Sequence, residues 1–225
     1  MSIMRKYVGD VLEFHLGASG QSHVTLSVPD EHQPQFGQYF LVDAPDDPAP
    51  TTLFPSVIGR NACAFPPPYP THWRLGTRVS VRGPLGRGFE LRDLGQNIAV
   101  VVLGATIARM MPTLITLIEQ GREVALFTDA PIHALPAAVE ISPLTAFSDA
   151  HPWADEVLAD VPLETLDAFR KMVHRGMRGQ VLVSTAMPCG GVAECGVCAV
   201  HHGGKKWSMA CKRGPVYPLR ELLGK

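Results

Sequence analysis

The sequence lacks three features that would place it in a broad functional class. Its 20 basic and 21 acidic residues leave a net charge of −1, so no surplus of positive charge favours nucleic acid or an anionic membrane. No run of 18 apolar residues is present, which argues against a membrane-spanning helix. The first residues, MSIMRKYVGDVLEF, lack the apolar stretch of a signal peptide, and we therefore expect a cytoplasmic location.

Sequence patterns of independent catalysis are also missing. We find no Ser-His-Asp arrangement, no paired carboxylates and no phosphate-binding glycine loop. Hydrophobic residues nevertheless make up 46% of the chain and charged residues only 18%, which is enough apolar material for a substantial core. The sequence thus indicates a folded protein that does not perform bond chemistry on its own.

What the chain does have is a group of four cysteines near its C-terminus, Cys189, Cys195, Cys198 and Cys211, spaced C-x5-C-x2-C-x12-C. Four thiolates can saturate a zinc ion or hold an iron–sulfur cluster. The spacing is close to the C-x4-C-x2-C pattern of plant-type ferredoxins, and zinc sites more often show two separated pairs. It favours a [2Fe–2S] cluster, with zinc, disulfides or free thiols as alternatives. Cys63 stands alone and is predicted to be a small buried side chain.

Residues 1–95 carry the pattern of a small antiparallel β-barrel domain. Short segments rich in β-branched or aromatic residues are bounded by glycine or proline, as in all-β folds. Four segments have this pattern: 22–28, 37–43, 53–59 and 78–83. The stretch 65–73 contains four prolines, which cannot donate to a sheet, and it is predicted to be a rigid loop.

Residues 96–186 change to the pattern of a Rossmann-like parallel α/β domain. The continuous apolar run 97–104 suits a strand covered on both faces, and a helix that Gly121 would end follows it. Further elements are predicted as follows: strands at 122–129, 143–147 and 180–185, a helix at 163–176, and a solvated acidic face at 155–160. Residues 187–225 would then form a cluster-binding C-terminal segment.

Three local motifs match those of a known family. GQYFLV (37–42) is similar to a barrel strand that usually reads PGQF. GPLGRGFEL (83–91) is similar to the segment GPLGNGF, and the cysteine segment is similar to CG-x-G-x-C-x-x-C…C-x-x-GPV. In these motifs, and over nearly its whole length, the chain resembles the electron-transfer subunits of type B dihydroorotate dehydrogenases, a family within the ferredoxin–NADP reductase superfamily.

The resemblance implies cofactors and a partner. Cys189, Cys195, Cys198 and Cys211 would ligate a [2Fe–2S] cluster. FAD would lie between the two domains, near Pro55, Ser56 and Val57, and the α/β domain would admit a nicotinamide nucleotide. Electrons would pass through the cluster to or from a flavin-containing catalytic subunit, such as a dihydroorotate dehydrogenase of pyrimidine biosynthesis.

Two of the family's cofactor motifs are altered in this chain. The family strand R-P-x-S, whose arginine pairs with the FAD pyrophosphate, here contains Phe54-Pro55-Ser56, and Arg60 is a nearby alternative cation. The glycine-rich turn before the first α/β helix carries Arg109 in place of a glycine. FAD is therefore possible but weakened, and NAD(P) binding is not expected. We predict that Arg109 makes a surface or domain contact rather than binding a phosphate.

Two hypotheses of different classes follow. The first is a [2Fe–2S] electron-transfer subunit that docks on a flavin-containing oxidoreductase in a hetero-oligomer. The alternative is a zinc-binding structural adaptor on a degenerate ferredoxin-reductase scaffold. His201 and His202 lie close after the third cysteine, but four cysteines already saturate a cluster, and both histidines are expected to be solvent-exposed loop residues.

Overall fold

A computed structural model describes residues 6–17, 20–104, 106–132, 134–203 and 206–224. The strands in these ranges are β1 Lys6–Leu16, β2 Ser22–Ser27, β3 Tyr39–Asp43, β4 Thr51–Leu53, β5 Val57–Gly59, β6 Ala62–Phe65, β7 Arg78–Leu85, β8 Asn97–Val102, β9 Glu123–Thr128, β10 Val139–Ser142, β11 Glu156–Pro162, β12 Gly179–Ser184, β13 Ala199–His201, β14 Trp207–Met209 and β15 Val216–Pro218. The α-helices are α1 Met111–Glu119, α2 Leu166–Met172, α3 Ala210–Arg213 and α4 Leu219–Leu222. Short 3-10 helices span Asp30–His32, Ala108–Met110, Leu144–Ala150 and Leu163–Thr165.

The first seven strands form one antiparallel sheet in the order β4-β3-β7-β1-β2-β6-β5. Its strands surround a shared core in which Val24 and Leu26 of β2 pack with Phe40 of β3 and Phe65 of β6. Trp73, at the end of the proline-rich loop, is fully buried in the same core. The segment predicted as a single strand at 53–59 is interrupted, because Pro55 has no N–H to donate to a ladder.

The second sheet has six strands in the order β10-β9-β8-β11-β12-β15, all parallel except for β15. Pro112 stands in the first turn of α1, and Gly121 after its last turn adopts a φ of 74°.

The strand order reverses between β8 and β11. In open α/β sheets, ligands bind at the carboxyl ends of the strands beside such a reversal. The predicted β-domain followed by a parallel α/β domain is thus confirmed.

Two sequence predictions in this domain are wrong. The segment 143–147 is not a strand but the start of the 3-10 helix Leu144–Ala150, which buries Phe147. The acidic run 155–160 is not a solvated face: it enters the central strand β11, where Val157, Leu158 and Asp160 are all fully buried. The helix predicted at 163–176 is shorter, ending at Met172.

The C-terminal segment is attached to both domains. After the cysteine loop, β13 and β14 form a two-stranded hairpin, and β15 then joins the α/β sheet beside β12. On the barrel side, the Arg87 N–H donates to the Gly214 carbonyl at 2.6 Å. The division at residues 95 and 186 stays a prediction.

None of the helices in the described ranges combines the length and apolar character needed to cross a membrane.

Candidate metal centre

The cysteine segment leaves the end of β12 and packs directly on the barrel. The Met187 N–H donates to Thr52 Oγ1 at 2.8 Å. Gly190 has a φ of 56°, and a Cβ at this position would lie 2.6 Å from Leu41 Cδ1. A larger residue could not make this approach without displacing Leu41. The loop that begins at Cys189 is therefore held against strand β3.

The four cysteine sulfurs lie in two pairs. Cys189 Sγ is 3.6 Å from Cys195 Sγ, and Cys198 Sγ is 3.2 Å from Cys211 Sγ. Two thiolates on one tetrahedral metal ion with bonds of about 2.3 Å stand about 3.8 Å apart. Each pair thus has roughly the spacing of two ligands to one metal. Cys198 and Cys211 are buried, Cys189 is half-buried and Cys195 is exposed, so the centre reaches the surface on one side.

The thiols differ in how readily they ionise. Burial raises the pKa of Cys189, but the N–H groups of Gly191 and Ala193 and the thiols of Cys195 and Cys211 outweigh it and lower this pKa to about 7. Burial and the neighbouring thiols raise the pKa of Cys211 to about 12. Because each thiolate opposes the next, a bound cation is what would allow all four to ionise together.

The spacing of the thiols bears on the kind of metal centre. Cys189 also interacts with Cys211 of the other pair, so the two pairs are neighbours. In the part of the chain that the structure describes, no group of three or more His, Cys, Asp or Glu side chains is arranged to hold a single ion. Two pairs of thiols suit a cluster of two irons that takes two thiolates on each. The donor set fits a [2Fe–2S] cluster, and the assignment of the four ligands stays a prediction.

Cys63 lies outside this centre. Its side chain is 1% exposed within the barrel core, as predicted, and burial raises its pKa to about 12. A thiol of this kind is protonated and inert.

The expectation that His201 and His202 are exposed loop residues is wrong for both. The His202 ring is 8% exposed, with Nε2 at 2.7 Å from Ser208 Oγ, which in turn lies 3.0 Å from the Tyr217 hydroxyl. His201 lies in β13 and is half-buried. Sequence reasoning did not find the hairpin formed by β13 and β14, which buries this hydrogen-bonded row beside the cysteine loop.

Arg109 fills the crevice at the carboxyl ends of the central parallel strands. Its Nε and Nη2 donate to the two carboxylate oxygens of Asp160, at 2.6 and 3.1 Å, and Nη2 also donates to Ser184 Oγ at 3.3 Å. The Asp160 side chain is fully buried, and 10% of the Arg109 side chain is exposed. The position at which this class of sheet binds ligands is therefore occupied by the chain's own ion pair.

Phe54 meets the same guanidinium from the barrel. The Arg109 Cζ atom lies 5.8 Å from the centroid of the Phe54 ring, within cation–π range. The Phe54 ring also packs on Tyr39, with centroids 5.9 Å apart. The two residues that depart from the family's cofactor motifs are thus in contact with each other, and Arg109 makes a domain contact.

A cavity of about 430 Å³ lies between the barrel and α1. Of the three residues predicted to bind FAD, Ser56 and Val57 line this cavity and Pro55 does not. The Ser56 hydroxyl donates to the Ala64 carbonyl at 3.1 Å and lies 3.2 Å from His23 Nδ1. Its hydrogen-bonding capacity is therefore largely used within the barrel.

The residues around this cavity do not fit the pyrophosphate of FAD. No lysine or arginine is among its described lining residues. Burial, and then the charge of His15, lower the pKa of His23, which favours the neutral ring. Arg109 is committed to Asp160, and the Arg60 side chain is 90% exposed and directed towards Asp30. A pyrophosphate normally pairs with a guanidinium, and none is available here.

Comparisons with known proteins agree with this architecture. No protein-family model matches the chain. The electron transfer subunit of dihydroorotate dehydrogenase B (NAD(+)) from Shouchella clausii (strain KSM-K16) is 28% identical over 177 residues, which cover 67% of each chain.

Solved structures show the same fold at low sequence identity. An NADH-dependent reduced ferredoxin–NADP oxidoreductase, studied for flavin-based electron bifurcation, superposes with a TM-score of 0.75 at 17% identity, covering 96% of this chain and 90% of that one. The fold is that of the ferredoxin–NADP reductases. Phthalate dioxygenase reductase, described as a modular structure for electron transfer from pyridine nucleotides to [2Fe–2S], superposes with a TM-score of 0.57 at 16% identity, covering 82% and 70% of the two chains.

We predict that Cys198→Ser abolishes metal retention and that Cys63→Ser does not. Both side chains are 1% exposed, so the two substitutions perturb packing similarly and differ in whether a ligand is lost. The loss at Cys198 should exceed the roughly 10- to 100-fold reduction in metal affinity that outer-shell changes cause. Iron and acid-labile sulfide per polypeptide measure the effect. Equal losses in the two variants would refute the assignment of ligands.

We predict that Arg109→Ala destabilises this reductase-like fold by about 3–5 kcal/mol, because Asp160 would be left buried without a cation. The double variant Arg109→Met, Asp160→Leu should recover most of that stability, since it removes both charges. Urea unfolding followed by circular dichroism gives the values. Arg87→Ala is the control: the Arg87–Glu90 pair is exposed, and its loss should cost about 0–1 kcal/mol. Equal effects of Arg109→Ala and Arg87→Ala would contradict this account.

We predict that the unaltered chain binds FAD weakly and that Phe54→Arg alone does not restore binding. The new guanidinium would face that of Arg109 across the cleft. Arg109→Gly alone would leave Asp160 buried without a cation, so the test uses the background Arg109→Gly, Asp160→Leu, from which both charges are removed. Adding Phe54→Arg to this background should increase affinity by about one to two powers of ten, which corresponds to roughly 1.5–3 kcal/mol for a charge-assisted hydrogen bond. Titration with FAD, with the background alone as control, tests this. A full equivalent of tightly bound FAD in the unaltered chain would show that the cleft still accepts flavin.

Proposed function

We propose that this chain is the electron-transfer subunit of an oxidoreductase, holding a [2Fe–2S] cluster through Cys189, Cys195, Cys198 and Cys211. It would pass electrons to or from a flavin-containing catalytic partner, such as a dihydroorotate dehydrogenase. The observation that carries the proposal is the arrangement of the four thiols as two pairs, on the fold of the ferredoxin–NADP reductases. A bound cluster of this type supplies one-electron oxidation and reduction.

The chain's own residues position this centre. The backbone N–H groups of Gly191 and Ala193 point at Cys189 and favour its thiolate, which is the form that binds iron. The hydrogen bond from Met187 and the contact of Gly190 with Leu41 tie the loop to the barrel. Because these contacts form only in the folded chain, metal binding at this loop is coupled to folding.

The exposed side of the centre supports docking of a partner. Val192 and Val197 flank Cys195 in sequence and are 61% and 51% exposed. Lys212 Nζ lies 3.0 Å from Glu194 Oε1, so the loop carries charges of both signs as well as exposed apolar side chains. An apolar centre with a polar rim is the usual composition of a protein–protein interface. A partner that binds here would bring its cofactor close to the outer pair of sulfurs.

The flavin in this proposal belongs to the partner. The described residues that line the cleft offer no free guanidinium to a pyrophosphate, and Arg109 occupies the crevice where a nicotinamide nucleotide would lie. We infer that electrons reach and leave the chain through its partner or partners and not through a soluble nicotinamide. We also infer a reducing compartment, the cytoplasm, where thiols and clusters persist.

We predict that the chain purified without oxygen is reddish-brown, bleaches partly on reduction by dithionite, and contains about two irons and two sulfides per polypeptide. NADH alone should not bleach it. The visible spectrum and metal analysis together make the test. A colourless protein with one zinc per chain would instead identify a structural adaptor, and rapid bleaching by NADH would show that the α/β domain still accepts nucleotide.

A further inference from the structure

Tyr39 has a buried hydroxyl group for which the described protein atoms provide no hydrogen-bond partner. The side chain is completely buried at the start of β3. A buried hydroxyl without a partner is destabilising, so such a group in a folded protein calls for an explanation. The motif that this strand resembles has phenylalanine at the same position, and phenylalanine would fill the space without that cost.

Successive side chains of β3 pack into different cores, and this shows towards which core the Tyr39 side chain points. Phe40 and Val42 pack in the core of the barrel, whereas Tyr39 and Leu41 belong to the other core, which also contains Cys198 and Cys211. Side chains two residues apart share one face of a strand. Tyr39 therefore lies on the face of β3 on which Leu41 contacts Gly190, beside Cys189.

A second contact brings Tyr39 next to the other end of the cysteine segment. A Cβ on Gly86 would lie 3.1 Å from Tyr39 Cε1 and only 2.8 Å from the Gly214 carbonyl oxygen. The Tyr39 ring and the turn at Gly214 thus meet at Gly86. Gly214 directly follows α3, which carries Cys211. The ring therefore lies beside the end of the segment that carries Cys211, on the core side of β3 that it shares with Leu41.

The electrostatics of this hydroxyl agree with its position. Tyr39 interacts with Cys211, Cys198 and Cys189, which places it near three of the four thiols. A tyrosine hydroxyl is protonated at neutral pH and can donate a hydrogen bond. The other tyrosine near the centre, Tyr217, is already hydrogen-bonded, with its hydroxyl 3.0 Å from Ser208 Oγ.

We propose that the Tyr39 hydroxyl donates a hydrogen bond to a sulfur of the [2Fe–2S] cluster, either a cysteine thiolate or a bridging sulfide. The inference rests on the proposed function, since it requires the cluster. Reduction adds one electron and one negative charge to the cluster, while the proton stays on Tyr39. A hydrogen bond from the Tyr39 hydroxyl is stronger to the reduced cluster, because that state is more negative. Hydrogen bonds to the sulfurs are among the factors that set the reduction potential of a cluster. Tyr39 is thus a positioning residue that favours the reduced cluster.

Tyr39→Phe, which removes one oxygen atom and keeps the ring, is the test. We expect unchanged iron content. The equilibrium constant for reduction should fall about tenfold, which lowers the reduction potential by ~59 mV for a one-electron couple. Potentiometric titration followed by electron paramagnetic resonance measures the shift. Tyr7→Phe is the matched control, because its hydroxyl is also buried and unpartnered in the described structure but lies at the barrel core, near Cys63. It should leave the potential unchanged.

The outcomes separate the inference from the function on which it rests. An unaltered chain without iron and sulfide would overturn both. A normal cluster whose potential is the same in the unaltered and Tyr39→Phe chains would overturn only the role of Tyr39. If the variant retains too little cluster to titrate, replacing Tyr39 alone by 3-fluorotyrosine decides: the more acidic phenol should raise the potential, and no change would overturn the proposal.

Discussion

The buried ion pair between Arg109 and Asp160 is the interaction on which the arrangement of the two domains depends. Removing a guanidinium and a carboxylate from water is costly, and the cost is recovered only where both groups are fully hydrogen-bonded. The pair meets this condition with two mutual hydrogen bonds and a third to Ser184, under the ring of Phe54. These residues come from the 3-10 helix Ala108–Met110, from β11, from β12 and from the barrel. The barrel and the α/β domain are therefore joined at the reversal of the sheet, where related folds leave a crevice open.

Only some of the residues that fill this crevice could be predicted from the sequence. Arg109 and Phe54 are visible as departures from the resembled motifs, but nothing in the sequence shows that they touch. Asp160 was concealed in a short acidic run, and a run of charges is usually solvated. Here the charges near the start of β11 are exposed or half-buried, while Asp160 is enclosed among apolar neighbours of the central strand. A buried charge can be recognised only when its partner is known, and that partner is set by tertiary structure.

The cysteine centre was more predictable because its ligands lie within one short segment. Their spacing and the intervening glycines carry the signal locally. The pairing of the sulfurs depends on the hairpin, which the sequence did not reveal: Ala199 faces Met209, and the Ala210 N–H donates to the Cys198 carbonyl at 2.9 Å. This register brings Cys211 to Cys198. The 3-10 helix at Leu144–Ala150 was missed for a related reason, because a short apolar run does not by itself distinguish a strand from a helix.

Strand β3 connects the barrel core to the cysteine segment, because one of its faces packs in the first and the other face meets the second. Its position is fixed by Phe40 and Val42 in the barrel core, and the same register directs Tyr39 and Leu41 towards the cysteine segment. A slip of one residue would exchange the two faces, so the barrel core indirectly sets where the cysteine loop can pack. In the proposed function this gives the barrel a role that does not require flavin. It is the rigid surface on which the cysteine segment is held. Substitutions at the flavin motif can then accumulate without loss of the electron-transfer centre, provided that the packing of β3 is kept.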